Sequence, residues 1–447
     1  MRVTWHADLA WVGDGPRRDV LIEVEDGRFT AVTAQTAAPA GATRLRGLTL
    51  PGLANAHSHA FHRALRGRTQ SRAGSAGTAG LASSLLAPGD AGDFWTWRER
   101  MYAVAAHLDP DSYLELATAV YAEMALAGIT CVGEFHYLHH GPDGTPYADP
   151  NAMGEALVEA AARAGIRITL LDTLYLAASV DGAPLSGPQR RFGDRDVDAW
   201  ADRVATLKPP EHARVGAAVH SVRAVPAEAL ADVKRHAADR PLHVHLSEQP
   251  AENEACLARH GRTPTRLLDA YGLLGPRTTA VHATHLTPDD IALLGRTGTA
   301  ICLCPTTERD LADGIGPGGA LAAAGSPLCV GSDSHAVVDL FEEARGVELH
   351  ERLATLRRGH FSAAELVRAA TVAGHVACGW SDAGAIAPGA RADLVAVRLD
   401  SPRTAGVEPA AVIFAATAAD VTDVVVDGRP VVRDGRHLTV CLPGVLA

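Results

Sequence analysis

Apolar and polar positions alternate residue by residue at both ends of the chain and change rhythm in the middle. Near the start, RVTWHADLAWV, DVLIEVEDGRFTAVTA and ATRLRGLTLPG switch sides at every step and are separated by Gly13-Asp14-Gly15-Pro16 and Asp26-Gly27. This is the pattern of short strands joined by tight turns. ADLVAVRLD and DVTDVVVDGRPVVRDGRHL repeat it near the end, with turns at Asp427-Gly428 and Asp434-Gly435. Between the ends, compact apolar runs at 53–61, 130–137, 166–175, 213–221, 242–248, 278–286, 299–305 and 327–334 are separated by helical stretches. Several helix ends are readable: Asp109-Pro110 opens a helix that stops at Gly128, a second runs from about 151 to Gly165, Thr287-Pro288 opens a third, and Ser362 with Glu365 forms a capping box.

Eight strands with helices between them predict an α/β architecture, a (β/α)8 TIM-like barrel over 51–387. The β-rich ends, 1–50 and 388–447, predict one small discontinuous β-sandwich domain. No GxGxxG follows the first barrel strand, which argues against a doubly wound sheet. Segment 66–93, rich in Gly, Ala and Ser, reads as a mobile loop at the barrel mouth, either a lid or an insertion without a role.

Composition narrows the partners. A chain of 447 residues with 47% hydrophobic and 21% charged positions is globular and long enough for a large core. A formal charge of −11 argues against nucleic acid or an anionic membrane as the main partner. No apolar run is long enough for a membrane span, and the first residues carry no secretory pattern, so a cytoplasmic protein is expected. Seven cysteines then read as reduced thiols, and Cys302 and Cys304 as strand residues rather than metal ligands.

Twenty-one histidines change the picture more, because nine of them fall at strand ends. In such a barrel, reactive side chains project from the C-terminal ends of the strands. Those ends carry His57-Ser58-His59, Glu134-Phe-His136-Tyr137, His220, His243 and His245 with Glu248, His282 and His285, and Asp333-Ser334-His335. His57 and His59 are two apart on a strand and share a face. With His245 and Asp333 they make a mononuclear set suited to Zn2+, which would make a bound water acidic enough to act as a nucleophile at neutral pH. Glu248 could then carry a proton to a leaving nitrogen, and His282 could hold the nucleophile or polarise the substrate. Glu134 could orient a ligand or meet a cationic substrate head. His243 and His285 read as structural, and His139 and His140 as loop residues.

PGLANAHSHAF, HVHLSE, VHATHL and GSDSH resemble the amidohydrolase superfamily over nearly the whole chain. HSHAFHRALRGRT, FWTWRERMY, GEFHYLHH, HSVRAV and LCPTTERDLADGIGP are more narrowly similar to the formimidoylglutamate deiminase family. The resemblance implies one Zn2+ per subunit on His57, His59, His245 and Asp333, with Glu248, His282 and Asp333 catalytic. It implies substrate contacts at Arg98, Tyr137, His220 and Arg223, and at His62, where the family pattern has Gln. It further implies a small dicarboxylate substrate, N-formimino-L-glutamate, converted to N-formyl-L-glutamate and ammonia in histidine degradation, and a homodimer. Two carboxylates call for fixed cations, which arginine supplies as a planar fork. The chain has only two lysines, Lys208 and Lys234, and neither ends the fourth barrel strand, so the lysine-bridged dinuclear site of some relatives is not expected. One alternative is an aminohydrolase acting on a nucleobase, a triazine or another small amidine, whose pocket would carry aromatic surfaces and few cations. Another is a catalytically dead scaffold, which should have lost a ligand.

Overall fold

The computed structural model describes residues 2–70, 92–237 and 239–441. Two eight-stranded sheets organise it. The first joins the chain ends: β1 (Arg2–Val12), β2 (Gly15–Glu25), β3 (Arg28–Thr33) and β4 (Thr43–Pro51) pair with β13 (Leu394–Val397), β14 (Val421–Val426), β15 (Arg429–Arg433) and β16 (Arg436–His437), in the order β16-β15-β14-β13-β4-β1-β2-β3. Its strands alternate as their sequence does. In β2, Val20, Ile22 and Val24 are buried between more exposed neighbours, and they join Trp5, Phe29, Leu45 and Leu394 in a core of their own.

The second sheet is the barrel: β5 (Leu53–Ser58), β6 (Ile129–His136), β7 (Arg167–Leu174), β8 (Ala213–Val219), β9 (Leu242–Leu246), β10 (Thr278–His282), β11 (Ala300–Leu303) and β12 (Leu328–Val330), parallel and in sequence order. β6 and β7 are buried at every residue, as expected for strands covered by helices outside and side chains inside. The helices begin where their caps predict. Asp109 and Ser112 exchange hydrogen bonds ahead of Pro110–Leu126, Thr287 and Asp290 do the same for Pro288–Thr297, and Gly165 closes Ala152–Ala164 in the left-handed conformation.

The two sheets meet around a buried ion pair. Arg167 of β7 donates through Nη1 to Asp393 Oδ1 at 3.0 Å, through Nη2 to the other Asp393 oxygen, and to Asp427 Oδ1 at 3.1 Å. Gly52, between β4 and β5, passes so close that a Cβ would lie 2.3 Å from Thr130 Oγ1 and 2.6 Å from Asp393 Cβ. No helix among the described residues is long and apolar enough to cross a membrane. The lid reading for segment 66–93 falls largely on 71–91, outside the described residues.

Candidate metal centre and active site

The barrel closes where β5 meets β12. Asp333 N donates to His57 O at 3.0 Å and His59 N donates to Asp333 O at 3.2 Å. This seam brings His57, His59 and Asp333 together, and β9 adds His245; one ligand atom from each lies within 4.8 Å of the others, all four buried. His57 Nε2 is 3.1 Å from His245 Nε2 and 3.3 Å from Asp333 Oδ1, while His59 Nε2 is 3.4 Å from both. A tetrahedron of ligands around zinc at about 2.0–2.1 Å has edges of about 3.4 Å.

The tautomers point the same way. His59 Nδ1 donates to Phe135 O and His245 Nδ1 donates to His220 O, each at 2.9 Å. Burial lowers the pKa of His59 to about 3 and holds His57 and His245 well below the usual imidazole range, so these rings are neutral. The Nε2 lone pairs of His59 and His245 therefore face each other across 3.4 Å, an arrangement that a cation between them stabilises. The donor set fits a zinc-type ion.

Beside this cluster, Ser247, His282, Ala283, Asp333 and His335 all have positive φ, between 45° and 67°. Non-glycine residues adopt that conformation at a cost, and here it occurs where strands give way to the loops that carry the chemistry. His282 Nε2 lies 3.7 Å from both Glu248 Oε1 and Asp333 Oδ2, and its Nδ1 lies 3.6 Å from Glu308 Oε1. Burial alone would lower the pKa of His282, but these carboxylates outweigh it and push it up to about 10. Glu248 Oε2 accepts from Arg223 Nη2 at 2.8 Å, and Glu252, buried one helical turn on, holds Arg223 Nε at 3.8 Å.

A cavity open to solvent sits over the cluster. His59, His245, Asp333, Glu248 and His282 form its floor, and His62, Arg98, Tyr137, His220 and Arg223 line it as well. His62 Nε2 pairs with Tyr137 Oη at 2.9 Å. Arg98 lies over the rings of Trp95 and Tyr102, 4.5 and 5.6 Å from their centroids, and its buried Nε has no hydrogen-bond partner among the described residues. Phe94, Trp97, Tyr102, Tyr175 and Phe192 complete the wall, so the cavity is both cationic and aromatic.

Other strand-end residues lie elsewhere. His243 Nε2 donates to Ala377 O at 2.9 Å, and His285 Nε2 donates to Asp313 O at 2.8 Å. His139 and His140 lie in the loop after β6, as read from the sequence, but both are buried: His139 Nε2 donates to Thr173 O at 2.9 Å and His140 faces Asp194 at 3.5 Å. His136, His139 and Asp172 form a second compact group, but Arg203 and Trp200 already occupy both oxygens of Asp172. Cys302 lies in β11 as expected, whereas Cys304 lies just past it, at the start of the next helix, and stands near His282 and Glu308. The strand pattern did not reveal Glu252, Glu308 and Asp313. Glu308 and Asp313 lie within LCPTTERDLADGIGP, but no periodicity marks them as facing His282 and Glu248.

The model of the amidohydrolase family matches residues 48–431. The chain belongs to the amidohydrolase family. It is 38% identical to the formimidoylglutamate deiminase of Pseudomonas aeruginosa, spanning 96% of this chain and 95% of that one. It is 33% identical to the 8-oxoguanine deaminase of the same organism, over 92% and 89%. Among solved structures, an amidohydrolase from Brucella melitensis superposes with a TM-score of 0.89 at 32% identity, covering 99% of this chain and 97% of that one. An adenosine deaminase from Xanthomonas campestris with bound zinc gives 0.81 at 25% identity, covering 99% and 96%. The family and these relatives make the chain a hydrolase acting on C–N bonds, of the deaminating kind.

Proposed function

We propose that the chain hydrolyses N-formimino-L-glutamate to N-formyl-L-glutamate and ammonia, using one zinc ion per subunit, in histidine degradation. The observation that carries this reading is the presence of two guanidinium groups, Arg98 and Arg223, in the cavity that opens over the His57/His59/His245/Asp333 cluster. A substrate with two carboxylates and a short amidine head needs such a pair, and the buried Nε of Arg98, unpartnered among the described residues, is a donor that a carboxylate would satisfy. The 38% identity to a formimidoylglutamate deiminase supports it.

His57, His59, His245 and Asp333 would hold the zinc, which when bound supplies an acidified water at neutral pH. Asp333 accepts the proton of the attacking water through Oδ2, the oxygen facing His282. His282 donates a hydrogen bond to the attacking oxygen. Addition of the water oxygen to the carbon of the protonated formimino group forms the C–O bond and turns C=N into C–NH2. Glu248 then takes the hydroxyl proton and passes it to that nitrogen, so that as C=O forms the C–N bond breaks and ammonia leaves. Arg223 holds Glu248 in position from one side. His62, Tyr137 and His220 contact the substrate as neutral groups.

The aromatic wall favours a second reading, deamination of a purine or related ring, which needs stacking surfaces. Ammonia release from N-formimino-L-glutamate and from 8-oxoguanine by zinc-loaded and chelated protein separates the two. Rapid, zinc-dependent release from the formimino compound, with formyl-glutamate as the product, is expected. Release from the purine alone would replace the substrate assignment and leave the centre intact.

A further inference from the structure

Adjacent barrel strands from β5 to β12 are held by ladders of several residues, but the closing pair is not. Among the described residues, β5 and β12 share one isolated bridge, Ser58 with Asp333, and two backbone hydrogen bonds. Three of the four residues of the cluster sit on this weakest seam. Their relative placement therefore depends on side chains to an unusual degree.

The side chains that cross the seam form a continuous buried chain. Asn55 Nδ2 donates to Ser332 Oγ at 2.7 Å, and Ser332 N donates back to Asn55 Oδ1 at 2.9 Å. Ser332 Oγ is 3.0 Å from His335 Nδ1, and His335 Nε2 is 3.0 Å from Ser58 Oγ. Ser58 Oγ donates to Glu134 Oε2 at 2.5 Å, and Ala60 N donates to Glu134 Oε1 at 2.6 Å. Asn55, Ser58, Glu134, Ser332 and His335 all have zero exposure, so water cannot substitute for a missing partner.

Burial raises the pKa of Glu134 to about 7, and above that pH, where it is a carboxylate, the inventory of donors leaves one direction of bonding. A carboxylate only accepts, so Ser58 spends its proton on Glu134 and must accept from His335 Nε2–H. His335 Nδ1 then accepts from Ser332, whose oxygen accepts from Asn55. Each hydroxyl donates once and accepts once, with Glu134 as the terminal acceptor. Asn55 and Ser58 flank His57, Ser58 and Ala60 flank His59, and Ser332 and His335 bracket Asp333.

We propose that Glu134, Ser58 and His335 are positioning residues for the metal: through this one-directional chain they lock β5 to β12 and set the spacing of His57, His59 and Asp333. The proposal rests on the reading of that cluster as a metal site. Groups that orient ligands typically contribute 10- to 100-fold in metal affinity.

The test is zinc affinity of the metal-free protein by chelator competition, for wild type, Ser58→Ala and Glu134→Gln. Thr169→Val serves as control; it removes a buried hydroxyl that bonds Trp380 and Cys378 away from the seam. Ser58→Ala and Glu134→Gln should weaken zinc about 10- to 100-fold while Thr169→Val leaves it unchanged. Nitrogen NMR of histidine-labelled metal-free protein adds a second readout. Wild-type His335 should carry its proton on Nε2. Glu134→Gln, whose amide oxygen must serve Ala60 N and whose NH2 faces Ser58, should reverse the chain and move that proton to Nδ1. Zinc affinities within twofold of wild type in both variants, or an unmoved tautomer, would overturn the proposal. If Ser58→Ala does not fold, Glu134→Gln decides alone. Wild type binding no zinc would instead refute the metal site itself.

Discussion

Replacing Glu248 by Gln removes its proton-transfer role and, with its charge, one of the carboxylates that push up the pKa of His282. Glutamine is isosteric, and its amide oxygen can still accept the 2.8 Å hydrogen bond from Arg223. The Glu252 carboxylate, 3.8 Å from Arg223 Nε, remains to balance the guanidinium. None of the four cluster residues loses a contact. What disappears is a group able to take up and release a proton 3.7 Å from His282 Nε2. General acid–base catalysis by one side chain contributes about 10^2- to 10^4-fold. At about 1.36 kcal/mol per decade, this raises the barrier by about 2.7–5.5 kcal/mol. The expected result is a kcat lower by that factor, with KM little changed and the same zinc content per subunit. Ammonia release at saturating substrate and elemental analysis of the same preparation measure all three. A kcat within about tenfold of wild type would remove Glu248 from the proton path. Loss of the metal would reassign it to holding the ion.

Three further outcomes are expected. Arg98→Met should lower kcat/KM about 10- to 100-fold, chiefly through KM, because a charge-assisted bond to carboxylate contributes about 1.5–3 kcal/mol; Arg98→Lys should not restore it, since the ammonium lacks the planar fork that stacks on Trp95. Asp393→Ala should destabilise the fold by about 3–5 kcal/mol in chemical denaturation by leaving Arg167 buried, and an Arg167→Met/Asp393→Leu pair should recover much of that; strict additivity would show that the pair does not join the two sheets. Burial works against ionisation of Asp420, but hydrogen bonds from Arg403, Ser401 and Thr417 N hold its pKa down to about 2. Its contribution is therefore complete above the unfolded value of about 4 and is lost as pH falls from there toward 2, so Asp420→Asn should flatten the acid limb of a thermal-stability profile in that window.

Much of the fold was legible because its signals are local. The eight apolar runs match β5 to β12 within a few residues, and the caps at Asp109, Thr287 and Ser362 open the helices they mark. His57, His59, His245 and Asp333 could be singled out because strand ends face the barrel mouth whatever the details of packing. The strand-end pattern marks Glu134 only as a group for orienting a ligand or meeting substrate; in the structure both its oxygens bond the backbone and hydroxyl on either side of His59. Glu252 and Glu308 were not marked, because charged residues in a helix usually face solvent and only packing shows these two to be buried.

Periodicity, turn chemistry and capping act over a few residues, and the demand to bury apolar surface then leaves few ways to arrange eight strands and their helices. The amino-acid order was sufficient for the alternation of elements, the pairing of the two chain ends and the identity of the four convergent side chains. Contacts across long stretches of chain were decided by closure of the barrel. Ser58 meets His335 and Asn55 meets Ser332 across 277 positions, and Arg223 reaches Glu248 across 25. Those distances depend on strand register and on how β5 lies against β12, and no local pattern encodes either. The ordering of donors along the seam and the balance of cationic and aromatic groups over the cluster are consequently properties of the folded molecule alone.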